Sequence, residues 1–435
     1  MGAEQSAFQN TNTFQFEIPD GQVIKFIVQT NTADGDSIVI RDSISTLYEL
    51  NAAESILYTP ANNSRLWITT KTNSSSFYFF WQYIDVTGYQ KVQKPTGSIM
   101  PLNLTQNTFY QFTSPKDRVA FHTGTLDKTF DLSLSFIYVY DGDDLNAKYI
   151  GNLLNFVSSQ NLSSTGKSLT LVNFYGTNTK SYGIANDYSA VSHYDSYIFF
   201  VLSSGIDYTG NSYVPNGLES AVTFYCIDSD ESYITDLVLA DRKNGAQAVH
   251  FKPLTPSDVY TNLLVYNINQ NLPQYLPQQI LTNTFTMVMF QCDLHLGLTS
   301  GPLYIWTLAA PGRHGTILSP SSWNLKTQNT VPYSTNITTT EKVKFLFNLS
   351  SVIISNPGAR IRIEVGSSGN KPVFVEFNET AIDTGTKAAY GTYMATSFTG
   401  TTVASSFAMT FSVECLGEFN VDDSDGSGDL YQVFF

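Results

Sequence analysis

SFIYVYDGDDL, residues 135–145, sets alternating apolar residues directly against an acidic, glycine-containing turn. A period of two is the signature of a β-strand with two distinct faces. The turn that follows, Asp141-Gly142-Asp143-Asp144, reads in two ways. Carboxylates gathered from turns are the donors that Ca2+ takes. Carboxylates on a surface turn also stay solvated and discourage edge-to-edge pairing of sheets. The second reading is the simpler one.

Strand signals dominate on either side. TFQFEI (13–18), VIKFIVQ (23–29), SIVIRD (37–42) and SFYFFWQYI (76–84) are β-rich and bounded by the turn material PDG, ADGD, PANNS and KTNSSS. Strands recurring about every ten residues argue for a sandwich or barrel. A sustained helical pattern is nearly absent; the best candidate is a single turn near 255–262, where Thr255 precedes Pro256. VQKPTGSIMPLN (92–103) reads as a linker, and the Gly/Ser/Asn-rich stretch 204–220 as a second boundary. Residues 14–43 and 109–142 share one order: aromatic strand, proline turn, apolar strand, acidic turn, and a strand ending in Asp. An aromatic strand follows each, 76–84 and 197–202. This weak repeat predicts two β-units in tandem. The expected division is a sandwich over 13–90, another over 104–204, a β-rich region of one or two domains over 217–419, and an acidic flexible tail over 420–435.

Composition narrows the function classes. The chain has 435 residues, of which 42% are hydrophobic and only 14% charged. It carries 30 Phe and 26 Tyr, a β-favouring content. An uncharged polar coat of Asn, Ser and Thr suits an extracellular β-protein. A net charge of −14 without a Lys/Arg cluster argues against nucleic acid and against an anionic membrane surface. No apolar run reaches the roughly 20 residues that span a bilayer. The opening MGAEQSAFQN has neither the basic region nor the apolar core of a signal peptide. It matches a myristoylation pattern at Gly2 and Ser6, one short enough to arise by chance. Seven glycosylation sequons, at Asn62, Asn73, Asn103, Asn161, Asn336, Asn348 and Asn378, are close to what this composition yields by chance. They mark surface loops if the chain is secreted. Cys226, Cys292 and Cys415 are odd in number, and each ends an apolar run. The alternatives are three buried thiols or one disulfide, Cys226–Cys292 or Cys292–Cys415.

DSIVIRDS (36–43), FIYVYDGDDLNAKYIGNL (136–153) and GKSLTLVNFYG (166–176) resemble the central and later strands of CUB domains. With its IPDGQ opening and FYFFWQY close, the first unit is similar to the nematode CUB-like group, which largely lacks the CUB cysteines. The resemblance spans 13–203. It implies an all-β fold of tandem jelly-roll sandwiches, secreted and non-enzymatic, used for recognition or adhesion. For the nematode members it implies a role in the response to microbes. The absence of paired cysteines in 1–203 departs from the ordinary CUB pattern.

The same resemblance makes Asp36 a candidate Ca2+ ligand, because it opens the central strand as in CUB calcium sites. Ser135 takes that place in the second unit, and neither unit has a clear upstream Glu. Asp34, Asp141, Asp143 and Asp144 complete the candidate metal set. The tail DDSDGSGD (422–429) resembles a calcium loop, but counting from Asp423 puts Phe434 where an EF-hand needs Glu. The five histidines, His122, His193, His250, His295 and His314, fit no catalytic motif, and APGRHG (310–315) reads as an exposed turn. Glu364, Glu376 and Glu379 lie on adjoining strand-like runs, the arrangement a glycosidase pair would need. Alternation there more simply places them on a solvent face. No phosphate-binding glycine loop is present. FYFFWQY could stack on sugars, although such runs more often fill a core.

The expected function is recognition or adhesion outside the cell, with an extracellular protein or a glycan, microbial surfaces included, as partner. Two alternatives are kept. One is a structural protein of capsid-like or adhesin-like jelly rolls. The other is a carbohydrate-active enzyme in the C-terminal half. No cofactor is expected beyond the candidate calcium.

Overall fold

The computed structural model describes residues 10–416, apart from 61, 73, 127–129, 158–161, 241–246, 259–260 and 401–402. The acidic tail and the calcium-loop reading at Asp423 lie outside these residues. The fold is all-β. The chain divides into two compact units, Met1–Val191 and Ser192–Phe435.

The first unit opens with seven strands: β1 (Asn10–Glu17), β2 (Gln22–Asn31), β3 (Ser37–Arg41), β4 (Leu47–Glu49), β5 (Glu54–Pro60), β6 (Asn63–Thr70) and β7 (Ser76–Asp85). They form two facing sheets, ordered β1-β6-β3-β4 and β5-β2-β7. Alternation in β2 turns Ile24, Phe26 and Val28 inward against Ile38, Ile40, Leu66 and Ile68. Each such side chain contributes about 1.5–3 kcal/mol through its burial. The β1–β2 turn needs glycine at Gly21, whose φ is +75°.

A second pair of sheets fills the rest of this unit. One runs in the order Lys148–Asn152, Ile137–Asp141, Ser168–Asn173, Thr108–Thr113, Gln90–Pro95. The other runs Leu162–Ser163, Val119–Thr125, Ser181–Asp187, Ile99–Pro101. The expected linker 92–103 is therefore two strands, a difference with a clear cause. Each strand sits last in its sheet and carries its proline, Pro95 or Pro101, at its end, where the missing N–H leaves no gap in a ladder.

The IYVYD strand is buried on both faces. Ile137 and Val139 enter the core of their own sandwich with Phe112, Phe121 and Leu171. Tyr138 and Tyr140 leave by the other face and join Val23, Val86 and Phe174 in an aromatic seam against the first sandwich. The Tyr138 hydroxyl donates to the Tyr58 carbonyl at 2.6 Å, and the Tyr175 hydroxyl accepts from the Tyr58 amide at 3.3 Å.

His122, on Val119–Thr125, has its Nδ1 shut away from solvent, and burial pulls its pKa from 6.5 to about 4. The neutral ring is thus the form the fold accepts. The unfolded chain takes up a proton below pH 6.5, so this contribution is lost as pH falls from 6.5 to about 4. We expect equilibrium denaturation to show about 2 kcal/mol less stability of this unit across that window, and His122→Gln to flatten the loss.

In the second unit, the strand Ser196–Leu202 runs parallel to Glu219–Cys226. The stretch 197–202, expected to close the second repeat, hydrogen-bonds here instead. The expected boundary 204–220 contains the strand Asp207–Tyr213, paired with Asp293–Ser300. Thr255–Asp258 is a single turn closed by the Asp258 amide donating to the Thr255 carbonyl, in keeping with the one turn expected there. A five-stranded and a four-stranded sheet enclose one core around Phe251, Phe285 and Trp323. A seven-stranded sheet built on the 21-residue strand Tyr333–Ile353 encloses a second, around Phe345, Phe398 and Phe407. Leu318 ends a strand of the large sheet and Trp323 follows it, yet both pack in the first core, while Tyr233 of the smaller sheets packs in the second. The two cores are interlocked within one compact unit.

Candidate functional site

The acidic turns are tied up by hydrogen bonds. Asp36, nearly buried, accepts from the Lys71 and Thr72 amides and from the Thr72 and Ser75 hydroxyls. These donors pull its pKa from 3.8 to about 2, and they pin the start of β3 to the β6–β7 connection. Asp42, 2% exposed, closes the β3–β4 hairpin by accepting from the Ile44 and Thr46 amides and the Tyr48 hydroxyl. Burial raises its pKa despite those donors.

Asp141 accepts from the amide and hydroxyl of Thr165, Asp143 from the Gln111 side chain, and Asp144 from the Asn146 amide. Asp34 is exposed. Asp34 and Asp36 belong to one sandwich, Asp141, Asp143 and Asp144 to the other, and no set is drawn together. Among the described residues no group of three His, Cys, Asp or Glu side chains is placed to hold a metal. Local donors thus engage Asp36, Asp141, Asp143 and Asp144.

The acid sensitivity that follows is specific. A depressed carboxyl pKa adds stability above its ordinary 3.8 that is lost as pH falls toward about 2. Asp36→Asn should remove this part of the acid unfolding of the Met1–Val191 unit, read as a shift of the midpoint of a pH titration.

Cys226 and Cys292, expected as one disulfide pairing, are both thiols. The register explains why. Glu219–Cys226 runs antiparallel to Thr284–Phe290, with Glu219 opposite Phe290 and the Cys226 amide bonded to the Asn283 carbonyl. Cys226 therefore ends one end of this ladder, while Cys292 lies past the other. At about 3.4 Å per residue they stand roughly 20 Å apart, and a disulfide needs Cα atoms within about 7 Å. The Cys226 sulfur instead accepts from the Ser300 hydroxyl at 2.8 Å.

Glu364 and Glu376 share one sheet face at Arg360–Gly366 and Val373–Phe377. Glu364 is engaged by Arg362 at 2.9 Å and by the Tyr393 hydroxyl at 3.0 Å. Arg362 in turn lies over the exposed Phe374 ring. APGRHG is no simple exposed turn, because Arg313 is buried. Asn62, Asn103, Asn336 and Asn378 are exposed, Asn348 is half-buried, and Asn73 and Asn161 lie outside the described residues.

The feature that stands open is β7. It pairs with β2 along its full length, from Gln22 opposite Asp85 to Asn31 opposite Ser76. Among the described residues its other side has no strand. Its inward row meets β1: Phe79 packs on Phe14 at 5.4 Å, Trp81 on Phe16 at 5.6 Å, and Phe79 stacks on Trp81 at 5.4 Å. The Tyr83 hydroxyl donates to the Glu17 carbonyl. Even so, Phe14, Phe77 and Tyr83 are each 41% exposed and Trp81 45%. The outward row adds Tyr78 at 62% and Phe80 at 45%, and Phe80, Ile27 and Ile56 form one row across the sheet. Aromatic side chains that ordinarily fill a sandwich core here cover an open edge. β7 is the last strand of a three-stranded sheet, and among the described residues no further strand covers it.

Comparison with known proteins locates this edge in a family. Residues 4–87 match the model of the CUB-like domain. The first sandwich is the part of the chain that is similar to a CUB-like domain. β1 to β7 lie within the matched residues, so the aromatic edge falls inside the match. The match ends before the second sandwich begins. No curated protein matches the chain. Among solved structures, the CUB1-EGF-CUB2 domains of rat MASP-1 align at 8% identity over 49% of this chain and 99% of that one, with a TM-score of 0.18. The CUB1-EGF-CUB2 domain of human MASP-1/3 aligns at 10% identity over 48% and 94%, with a TM-score of 0.19. A triple jelly roll of an archaeal virus turret aligns at 7% identity over 93% and 81%, with a TM-score of 0.16. At such scores these likenesses add nothing to the family match. No helix among the described residues is long and apolar enough to cross a membrane.

Proposed function

We propose that the chain is a secreted, non-enzymatic recognition or adhesion protein whose CUB-like domain meets its ligand through the aromatic edge of β7, and that the ligand is a glycan, such as one on a microbial surface. A CUB-like domain is consistent with binding rather than catalysis. The observation that carries the reading is the double row of exposed rings, Phe77, Trp81 and Tyr83 on one face and Tyr78 and Phe80 on the other. Exposed apolar surface of this kind marks interaction sites. Aromatic rings with a polar tip, as in Tyr and Trp, suit a ligand that is part apolar face and part hydroxyl.

The test is a glycan array run with and without chelator. Tyr78→Ser/Phe80→Ser should lower binding at least about tenfold, as expected for losing two exposed anchors. Its melting temperature should stay within a few degrees of the parent, because surface substitutions cost little. The chelator should change nothing, since local donors occupy Asp36, Asp141 and Asp143. Binding that vanishes with chelator would instead return these aspartates to the role of calcium ligands. Full binding by the double variant would remove β7 as the site.

A second reading, assembly, rests on the same strand. An uncapped edge of ten residues offers unpaired backbone groups to a strand of another chain. Regular particles or filaments by negative stain, abolished by Phe80→Pro, would favour it.

A further inference from the structure

We propose that the second unit carries a separate binding pocket for the ring of a neutral sugar, between the Tyr275–His314 stack and the outer face of the seven-stranded sheet. The cavity is about 340 Å3, at the small end of ligand pockets. Its floor follows from the register. His314 lies opposite Ser412, which lies opposite Leu346; Thr316 lies opposite Thr410, which lies opposite Asn348. Cross-strand partners share a face, so these six form a compact patch. Phe347 and Phe411 between them point the other way, into the core. Gly315 leaves room for that arrangement, because a Cβ there would meet the Phe411 ring at 2.4 Å.

The wall is held in place. Gln278 donates to the Thr316 carbonyl at 2.7 Å and accepts from the Thr316 amide at 3.0 Å, which fastens the short strand Gln278–Ile280 to the strand edge. Three residues earlier, at the end of the 3-10 turn Leu272–Tyr275, the Tyr275 ring stacks on His314 at 5.1 Å. On the far side, Asp383 accepts from the Asn348 amide nitrogen at 3.1 Å and from the Gly385 amide, which orders the turn that leads to Thr386 at the rim.

The chemistry is selective. The lining contains no carboxylate, lysine or arginine, so it does not match a charged ligand. The hydroxyls of Thr316, Thr386, Thr410 and Ser412 can each donate and accept, as sugar hydroxyls do. The aromatic wall suits the C–H face of a ring. Asn348 Oδ1 is buried without a donor among the described residues. Asn348 is also a sequon, which makes the chain's own glycan the competing occupant. Its half-burial in mid-strand and its bond to Asp383 favour a sugar that arrives from outside.

This pocket and the β7 edge belong to different units, and the experiment keeps the two separate. The full chain, made without N-glycosylation, is titrated with free glucose, galactose, mannose, N-acetylglucosamine and their β-linked dimers, and binding is read by saturation-transfer NMR. At least one sugar should give a saturable signal weakened about fivefold by Tyr275→Ala, the loss expected for one aromatic contact. Thr410→Val, a conservative change at an exposed site, should weaken it as well, and both changes should act on the signal that remains in chain that also carries Tyr78→Ser/Phe80→Ser. Loss with the β7 variant alone would overturn the pocket and keep the edge. No saturable sugar, or a glycan found attached to Asn348 in chain made with N-glycosylation, would overturn it outright.

Discussion

Replacing Tyr138 by alanine should destabilise the Met1–Val191 unit by about 3–5 kcal/mol, the range for removing a large buried aromatic. Tyr138 is 2% exposed. Its ring lies 5.1 Å from Phe174 and 5.7 Å from Tyr149, and its hydroxyl donates to the Tyr58 carbonyl. Removal opens a cavity in the seam and leaves that carbonyl without a buried donor. Tyr138→Phe separates the two effects. It keeps the ring and should cost only about 1–2 kcal/mol, the price of one unsatisfied acceptor. Urea denaturation followed by tryptophan fluorescence reports both, because Trp67 and Trp81 belong to the first sandwich. Equal costs for the two variants would mean that the seam is held by the hydroxyl alone and that its packing is loose. The seam is what makes two sandwiches one compact unit, so Tyr138→Ala should also split a single unfolding transition into two.

Arg313→Ala should weaken the Ser192–Phe435 unit by a comparable amount, about 3–5 kcal/mol, through lost packing and stranded acceptors. Arg313 is only 8% exposed. Among the described residues its partners are carbonyls rather than a carboxylate: Pro277 at 2.6 Å, His314 at 3.1 Å and Leu308 at 3.3 Å. Its guanidinium also lies over Trp306 at 5.4 Å. Burial lowers its pKa to about 10, so it stays charged at neutral pH, held by oriented backbone dipoles. Arg313→Lys should rescue little, since one ammonium cannot reach three carbonyls in a fixed fork. Thermal unfolding of the three proteins is the measurement. A lysine variant as stable as the parent would show that charge, and not the fork, is what the site requires. Because His314 follows Arg313 directly, the alanine variant should also blunt sugar binding at the Tyr275–His314 pocket.

Much of the fold was legible because its signal is local. Alternation in VIKFIVQ and SIVIRD, with PDG and ADGD between them, names strands and turns whatever lies around them, and these became β2 and β3. The CUB resemblance, read over 13–203, rested on the same short-range pattern, and the family match at 4–87 meets only its first part. Signals that depend on a partner were misread. Proline in 92–103 suggests a linker until edge positions are known. The strand 197–202 looks like the close of a repeat until its parallel neighbour, Glu219–Cys226, is seen. FYFFWQY offered one cue: with no polar face, it fits a strand covered on both sides or on neither.

By itself, the sequence determined that the chain is built of strands, where most of them turn, and that it carries a net charge of −14. Those properties belong to a residue and its near neighbours. Only the tertiary structure decided what becomes of each face. It left the aromatics of β7 open and closed those of Ile137–Asp141 into a seam, though both stretches are rich in the same rings. It saturated Asp36 with donors from 35 and 39 residues away, and it set Cys226 and Cys292 at opposite ends of one ladder. Burial and pairing are relations between distant segments, fixed by which strand lies alongside which, and no local pattern carries that.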